Sequence, residues 1–397
     1  MIVCVLLPRF ELAVAAGGRA VLASGPVALA PLPGREQRIG QPSAAAEASG
    51  VRAGLRLGEA LARCPTLRLV APDPAGVADA WDRALTALEG IGAAVESGLP
   101  GQAWLEAGGL HNLHGGQEGV LAAVRRALRA PVRLGVAPSR FAALAAAGRA
   151  RARRAEVAPS SPARLARYLA PLPVDLLAAR EETAGLPEPL ARLGIRTLGE
   201  LAALPRTALS DRFGAAGPLA RDLARGWDTP LVPRMITERL EEALDLPESA
   251  SGSQLEHALG LLIDRLLARR ERRGRTLRTV VLSAALVEGG TWRSRVTFRE
   301  ALADPRRMRL VLSPRLIELP APADALRLRA EGFGPPAGDQ RALLAEPAAV
   351  RAARLREAVR QARAVAGPEA ALRIIPVDPD SRVPERRLAL APWDPGE

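Results

Sequence analysis

Apolar residues recur at helical spacing between Leu186 and Trp227, and this stretch constrains the fold more than any other part of the sequence. Its leucines are spaced as on the buried faces of short helices: Leu190, Leu193, Leu198, Leu201 and Leu204. Gly194 lies between the apolar residues Leu193 and Ile195, where a glycine allows the backbone to turn sharply. The pattern predicts short helices joined by a tight hairpin.

This hairpin resembles the helix-hairpin-helix module, which holds a nucleic-acid backbone without reading its bases. The resemblance implies that four residues around the turn contact phosphate: Gly194, Ile195, Arg196 and Thr197. Backbone N–H groups at the start of the next helix, together with the helix dipole, favour an anion at such a place. In the alternative interpretation, Gly194 only ends the first helix of an ordinary small bundle.

The charge of the chain favours an acidic partner. Its 397 residues include 55 basic and 43 acidic ones, for a formal net charge of +12. Such a balance is typical of proteins that bind nucleic acid. Every basic residue counted is an arginine. Because GC-rich coding alone can produce this bias, the net charge is the stronger argument.

The cysteines and the apolar segments bear on where the protein works. Cys4 and Cys64 are too few for a disulfide framework or a cysteine metal cluster. We find no secretory signal and no apolar run of membrane-spanning length. We therefore expect a cytoplasmic protein in a reducing compartment.

Two segments, at residues 48–55 and 132–139, are similar to parts of the Y-family, or UmuC-like, translesion DNA polymerases. An apolar start, MIVCVLL, predicts a buried central strand, and residues 26–31 and 67–70 predict two more strands. ASGVRAGL at residues 48–55 then resembles the family's fingers, and VRLGVAPS at residues 132–139 resembles its palm. With the hairpin as thumb, the resemblance spans nearly the whole chain in the family's order.

The same resemblance implies three acidic residues that this sequence lacks. Family members hold two divalent metal ions with an Asp on the first strand and an adjacent Asp-Glu pair on a later strand. The matching positions carry Leu6, Gly101 and Gln102. Since none of these is a carboxylate, we expect no catalytic residue, no metal site, no cofactor and no nucleotidyl transfer by the family's mechanism.

A Y-family body without its carboxylates resembles the ImuB group of bacterial proteins, non-catalytic polymerase homologues that act as adaptors in mutagenic DNA-damage tolerance. GLHNLHGG at residues 109–116 is similar to that group's palm. His111 and His114 within it have no third ligand nearby in the sequence, so we expect a loop there rather than a metal site.

Residues beyond Trp227 follow the order of the family's little-finger domain. Strands are predicted at 238–246, 276–287, 291–298 and 326–333, and helices at 253–273 and 305–316. We thus predict an α+β, multidomain, Y-family-like chain with a four-stranded little-finger sheet. Its domains are palm and fingers at 1–170 (fingers about 32–75), a helix-hairpin-helix thumb at 171–230, the little finger at 234–336 and a C-terminal extension at 337–397.

The most basic segment lies in this last globular domain. Five of its arginines are candidates for contact with successive DNA phosphates: Arg269, Arg270, Arg272, Arg273 and Arg275. Each phosphate contact contributes about 0.9 to the log-log salt slope of duplex binding. The alternative is a solvated helix end favoured by the helix dipole.

GDQRALL at residues 338–344 lies where ImuB-like proteins are expected to carry a sliding-clamp peptide. Gln340, Leu343 and Leu344 match its glutamine and aliphatic positions, its aromatic position is unmatched, and an ordinary helix start fits equally well. The resemblance further implies an error-prone C-family polymerase and a RecA-like accessory protein as partners.

These features predict a non-catalytic adaptor in translesion synthesis and damage-induced mutagenesis that binds primer-template or damaged DNA. Two alternatives stay open. One is an active translesion polymerase with displaced metal ligands, for which Glu11, Glu96 and Glu106 are the nearby acids. The other is a general helix-hairpin-helix DNA-binding protein without a role in damage.

Overall fold

The computed structural model describes residues 1–336, except 35, 152, 236–239 and 288, and residues 355–392, except 356–357, 360, 364–366, 368–369, 378–379 and 381. Residues 1–334 form one compact unit and residues 335–397 a second one. None of the helices in the described ranges is long and apolar enough to cross a membrane.

The N-terminal 170 residues are a mixed α/β region. Its strands are β1 (Ile2–Leu6), β2 (Val27–Leu29), β3 (Arg68–Val70), β4 (Val95–Ser97), β5 (Gln102–Glu106), β6 (Arg133–Ala137) and β7 (Glu156–Val157). Its helices are α1 (Phe10–Ala15), α2 (Arg19–Ala23), α3 (Ala44–Ala48), α4 (Leu57–Arg63), α5 (Pro74–Glu89), α6 (His111–His114), α7 (Gly116–Leu128), α8 (Arg140–Arg149) and α9 (Pro162–Leu169).

The main sheet of this region has five strands in the order β4-β5-β1-β6-β7. Strands β2 and β3 form a separate parallel pair. The central strand β1 runs antiparallel to both β5 and β6. Its side chains alternate between two cores. Val3 and Val5 pack with α5 and α7 on one face, and Cys4 packs with α8 on the other. The prediction of a buried central first strand is confirmed.

Helix α8 lies unusually close to the sheet. A Cβ atom at Gly135 on β6 would be 2.1 Å from the backbone oxygen of Ala143. Only glycine fits such an approach, and alanines on the helix keep the distance short. The indole nitrogen of Trp104 on β5 donates to the Arg140 oxygen at 3.0 Å and joins the start of the helix to the sheet.

Helix α8 ends at Arg149. Helix α9 begins at Pro162, because proline at the first helical position starts a helix well. One local prediction in this region is wrong. His111 and His114 lie in the one-turn helix α6 rather than in a loop.

The thumb consists of four short helices: α10 (Pro187–Arg192), α11 (Leu198–Ala203), α12 (Arg206–Phe213) and α13 (Ala216–Ala224). Leu190, Leu198 and Leu201 are fully buried in a core shared with α8. Leu193, predicted on the same apolar face, is exposed because it caps α10 at the tip of the hairpin.

The next domain is the predicted four-stranded sheet backed by two helices. Its elements are β8 (Leu240–Ala250), α14 (Ser253–Ala268), β9 (Arg275–Leu286), β10 (Thr291–Leu302), α15 (Pro305–Leu316) and β11 (Ala323–Pro336), with the sheet order β10-β9-β11-β8. Helix α14 ends five residues earlier than predicted, and a 3-10 turn at Arg270–Arg272 follows it.

The second compact unit contains the hairpin of β12 (Leu372–Pro376) and β13 (Leu388–Pro392), with the short helix α16 (Pro384–Arg387) between them. Gln340, Leu343 and Leu344 lie outside the described residues.

Candidate nucleic-acid interface

The three positions at which the resemblance calls for acidic residues meet at one end of the central sheet. Leu6 is the register partner of Gln102 across β1 and β5, and the Leu7 N–H donates to the Gly101 oxygen at 2.8 Å. The sequence-based grouping of Leu6, Gly101 and Gln102 therefore agrees with their placement. None of the three supplies a carboxylate.

Gly101 also leaves no room for a side chain. Its φ is +93°, in the region that favours glycine, and an added Cβ would be 2.8 Å from the Phe10 Cβ and 2.9 Å from the Leu7 oxygen. An aspartate at this position would require the backbone to move. The Oε1 atom of Gln102 is buried without a hydrogen-bond partner among the described residues.

Two of the three nearby acids, Glu96 and Glu106, are not arranged to replace the missing ones. Glu96 forms an ion pair with Arg140 and accepts from the Val232 N–H at 2.6 Å. Glu106 stands at the far end of β5, opposite Ile2, which is about 13 Å from Gln102 at the usual strand rise. Among the described residues, no group of three His, Cys, Asp or Glu side chains could hold a metal ion. The residues at this end of the sheet do not fit a two-metal site.

The two histidines of α6 have separate surroundings. His114 Nε2 is 2.9 Å from the Ile91 oxygen, a hydrogen bond that anchors the helix to the turn after α5. His111 Nε2 is buried and has no partner in the described part of the chain.

The hairpin forms as predicted, but its backbone N–H groups are taken by the protein itself. The Gly194 N–H donates to Ala191 and the Ile195 N–H to Leu190, each at 3.0 Å. Gly194 has φ +81° and ends α10, which is the arrangement of the alternative interpretation.

A carboxylate occupies the start of the second hairpin helix. Glu200 accepts the N–H groups of Arg196 and Thr197 at 2.7 and 3.0 Å, and the Thr197 hydroxyl accepts the Glu200 N–H to complete a capping box. These bonds hold the pKa of Glu200 below its ordinary value. The N–H groups of Gly194, Ile195, Arg196 and Thr197 are therefore all bonded within the chain in this structure, and phosphate contact at the hairpin stays a prediction. The Arg196 side chain of the hairpin is exposed to solvent.

The arginines between α14 and β9 divide into two groups. Arg272 and Arg275 are half-buried and stabilise the turn. Arg272 Nη1 donates to the Arg275 oxygen at 2.6 Å, and Arg275 Nε donates to the Arg272 oxygen at 3.1 Å. The Arg275 guanidinium also lies 4.1 Å from the ring centre of Phe333. Arg272 and Arg275 are therefore structural as well as basic.

The other three predicted arginines of this segment are exposed. Arg269 forms an ion pair with Glu242. Arg273 adopts φ +50°, which turns the chain between the helix and the strand. Arg270 and Arg273 thus lie at the exposed surface of this turn.

Sequence reasoning missed a buried ionic network between palm and thumb. Asp228, which follows α13, accepts from Arg180 at 2.7 Å, from Arg140 at 3.2 Å and from the Phe141 N–H at 2.9 Å. Burial by itself lowers the pKa of Arg180. The hydrogen bonds to Glu182 and the charge of Asp228 outweigh this effect, so the pKa of Arg180 is raised. The only sequence signal was an acid in a Pro-containing linker.

A second set of ion pairs joins the little-finger sheet to the palm helix α5. Arg329 lies 3.1 Å from Asp82 and 3.7 Å from Asp79, and Arg293 lies 3.7 Å from Asp79. Arg234 in the linker pairs with Asp82 at 3.1 Å. Acidic residues of α5 thus neutralise arginines on the sheet face that is not covered by α14 and α15.

Comparison with known proteins finds a family model that matches the first part of the chain. Residues 7–148 match the impB/mucB/samB family. DNA polymerase IV of Moorella thermoacetica is 30% identical over 245 residues, which is 59% of this chain and 60% of that protein. DNA polymerase IV of Dehalococcoides mccartyi is 27% identical over 280 residues, which is 69% of this chain and 71% of that protein.

Two solved structures align with most of the chain at low similarity. A Y-family DNA polymerase chimera is 17% identical with a TM-score of 0.47, covering 84% of this chain and 99% of its own. An insertion ternary complex of Dbh DNA polymerase is 16% identical with the same TM-score and coverage.

Proposed function

We propose that this chain, whose residues 7–148 match the impB/mucB/samB family and which is similar to DNA polymerase IV, binds DNA without copying it. The relatives named above are DNA polymerases, and the non-catalytic role is our inference for this chain. We propose the same domain division as in the sequence analysis, with palm and fingers, thumb, little finger and C-terminal extension.

One observation carries the proposal. Leu6, Gly101 and Gln102 meet at the end of the central sheet, where a Y-family mechanism needs carboxylates. Two-metal nucleotidyl transfer requires acidic ligands to hold both ions around the reacting phosphate. The backbone at Gly101 has no space for one.

DNA binding is supported by charge and by the relatives. The formal net charge of +12 draws the chain to a polyanion over long range, and exposed arginines on the thumb and the little finger supply contacts. We propose that Arg196, Arg270 and Arg273 contact phosphates directly. The exposed Arg269 adds to this surface, and Arg272 and Arg275 support it through the turn that they stabilise.

We extend the proposal to an adaptor in translesion synthesis and damage-induced mutagenesis that prefers primer-template or damaged DNA. Gln340, Leu343 and Leu344 are proposed as its sliding-clamp peptide, and an error-prone C-family polymerase and a RecA-like protein as further partners. A clamp pull-down tests the peptide, because loss of capture with Gln340→Ala supports it and unchanged capture refutes it.

The decisive experiment is primer extension with Mg²⁺ and with Mn²⁺, on a sample shown to bind the primer-template in the same buffer. We expect the protein to bind the primer-template and to add no nucleotide to the primer. Template-directed extension that disappears in a Glu106→Gln variant would contradict the proposal and identify a polymerase with displaced metal ligands.

A competition between DNA forms separates the adaptor from a general DNA-binding protein. We expect primer-template junctions to compete better than blunt duplex of equal length. Equal competition would favour the general helix-hairpin-helix role.

A further inference from the structure

A concave pocket of about 560 Å³ lies where the end of β1 meets the C-terminal ends of α7 and α8. Six arginines line it: Arg9, Arg19, Arg125, Arg129, Arg133 and Arg153. The remaining lining residues are Pro8, Ala130, Pro131 and Val132, so no acidic side chain of the described residues lines the pocket.

One of these arginines has a buried donor without a partner. The Nε atom of Arg125 makes no hydrogen bond to any described residue. The Nε atoms of Arg140 and Arg309, neither of which lines this pocket, are also buried without a partner among the described residues. What favours a bound anion here is therefore the set of six arginines rather than this one atom.

Other members of the pocket are held in place by bonds to the protein. Arg9 pairs with Glu47, Arg19 Nη2 donates to the Pro8 oxygen at 3.0 Å, and Arg133 Nη1 donates to the Gly148 oxygen at 3.2 Å. Burial, and then the charge of Arg9, lowers the pKa of Arg19. The like charges oppose each other here, and a bound anion would offset that repulsion.

Backbone strain is concentrated around the same pocket. Arg9, Arg129 and Arg153 have φ of +53°, +48° and +68°, and the described residues contain one other non-glycine with positive φ, Arg273. Such conformations cost energy for residues with a Cβ and cluster at functional sites. The helix dipoles of α7 and α8 favour cations at their ends but do not explain this backbone strain.

The pocket also lies beside the end of the central sheet. Leu6 has Arg133 as its register partner across β6 and Gln102 across β5. We propose that this arginine pocket binds phosphate groups without a metal ion, either as free polyphosphate or as the backbone of single-stranded nucleic acid. Guanidinium groups match phosphate oxygens with paired, charge-assisted hydrogen bonds.

The test measures binding of inorganic tripolyphosphate and of a short single-stranded oligonucleotide to the full chain in EDTA by calorimetry. The Arg125→Gln/Arg129→Gln variant should weaken binding of at least one probe by about tenfold or more, because it removes two charged donors. Arg126→Gln is the matched control: Arg126 is exposed on the same helix and does not line the pocket.

The outcomes distinguish the two sources of phosphate. Loss of tripolyphosphate binding alone assigns the pocket to free polyphosphate, and loss of oligonucleotide binding assigns it to nucleic acid. The proposal is overturned if neither probe binds in EDTA, or if Arg126→Gln weakens binding as much. Thermal unfolding checks that the double variant is folded, and Arg153→Gln, in an exposed loop, repeats the test if it is not.

Discussion

At the scale of single residues, Glu200 determines which groups of the hairpin are available to a phosphate. Its carboxylate accepts two backbone N–H groups at the place where a phosphate would otherwise accept them. An exposed carboxylate that receives such bonds is favoured in its charged form. The Glu200 carboxylate therefore occupies the N–H groups of Arg196 and Thr197, and a phosphate would have to displace it to bind them.

This predicts a pH-dependent stability. Because the pKa of Glu200 is lower in the folded chain than the ordinary 4.5, its contribution is present above that value and is lost as the pH falls through the folded pKa. We expect Glu200→Gln to be less stable than the parent at pH 7 in urea unfolding.

The difference between the two proteins should shrink as the pH falls below 4.5. Glu188→Gln, which removes one exposed carboxylate from the neighbouring helix α10, controls for the loss of a charge. A stability difference that stays constant down to acid pH would contradict the assigned role of the carboxylate.

At the scale of elements, the turn between α14 and β9 separates structural from exposed arginines. Arg272 and Arg275 bond carbonyls of the turn, so replacing them alters its shape as well as its charge. Arg270 and Arg273 carry their charge at the surface. The turn exists because α14 ends at Ala268 and a left-handed residue, Arg273, leads into β9.

We expect Arg270→Gln/Arg273→Gln to weaken duplex binding and to flatten its salt dependence. Each lost phosphate contact should reduce the log-log slope by about 0.9. Fluorescence anisotropy at several salt concentrations measures both effects. Arg315→Gln, on the outer helix α15, is the control and should leave the slope unchanged. Equal slopes for the parent and the double variant would remove this turn from the interface.

At the scale of the whole molecule, the ion pairs of α5 bear on how the little-finger sheet meets DNA. Asp79 and Asp82 lie against Arg293 and Arg329, so this part of the sheet face is neutralised within the chain. The partners are only partly exposed, and salt screens such pairs less than fully exposed ones. DNA that contacts these arginines must compete with the two aspartates.

Removing Asp79 and Asp82 should make the arginines of this sheet face more available to DNA. We expect Asp79→Asn/Asp82→Asn to speed amide exchange in β10 and β11 and to strengthen duplex binding. Asp222→Asn/Glu318→Gln makes the same change in net charge at exposed pairs elsewhere and is the control. If both double variants strengthen DNA binding equally, the effect is one of net charge and the competition is disproved.

Much of the architecture followed from local patterns. The apolar run at the start predicts a central strand, because a strand buried on both faces has no polar positions. The hairpin around Gly194 and the four strands with two helices after Trp227 were also predicted, since period and turn residues are local signals. Leu6, Gly101 and Gln102 could be grouped from the sequence only through the resemblance, and the strand register agrees with that grouping.

Helix ends and pairings were not predictable in the same way. The end of α14 at Ala268 depends on arginines bonding carbonyls of the turn, and helical periodicity does not encode those bonds. Asp228 meets Arg140 across 88 positions of sequence, so nothing near either residue indicates the pair.

The sequence by itself determined the residue types: no carboxylate at three positions of the sheet end, a surplus of arginine, and a glycine hairpin. Tertiary structure alone decided which of those groups are accessible. It directed Glu200 to the hairpin N–H groups, aspartates of α5 to the little-finger arginines, and six distant arginines into one pocket. The physical reason is that charge and hydrogen-bonding capacity belong to each residue, whereas their satisfaction depends on neighbours that only the folded chain brings together.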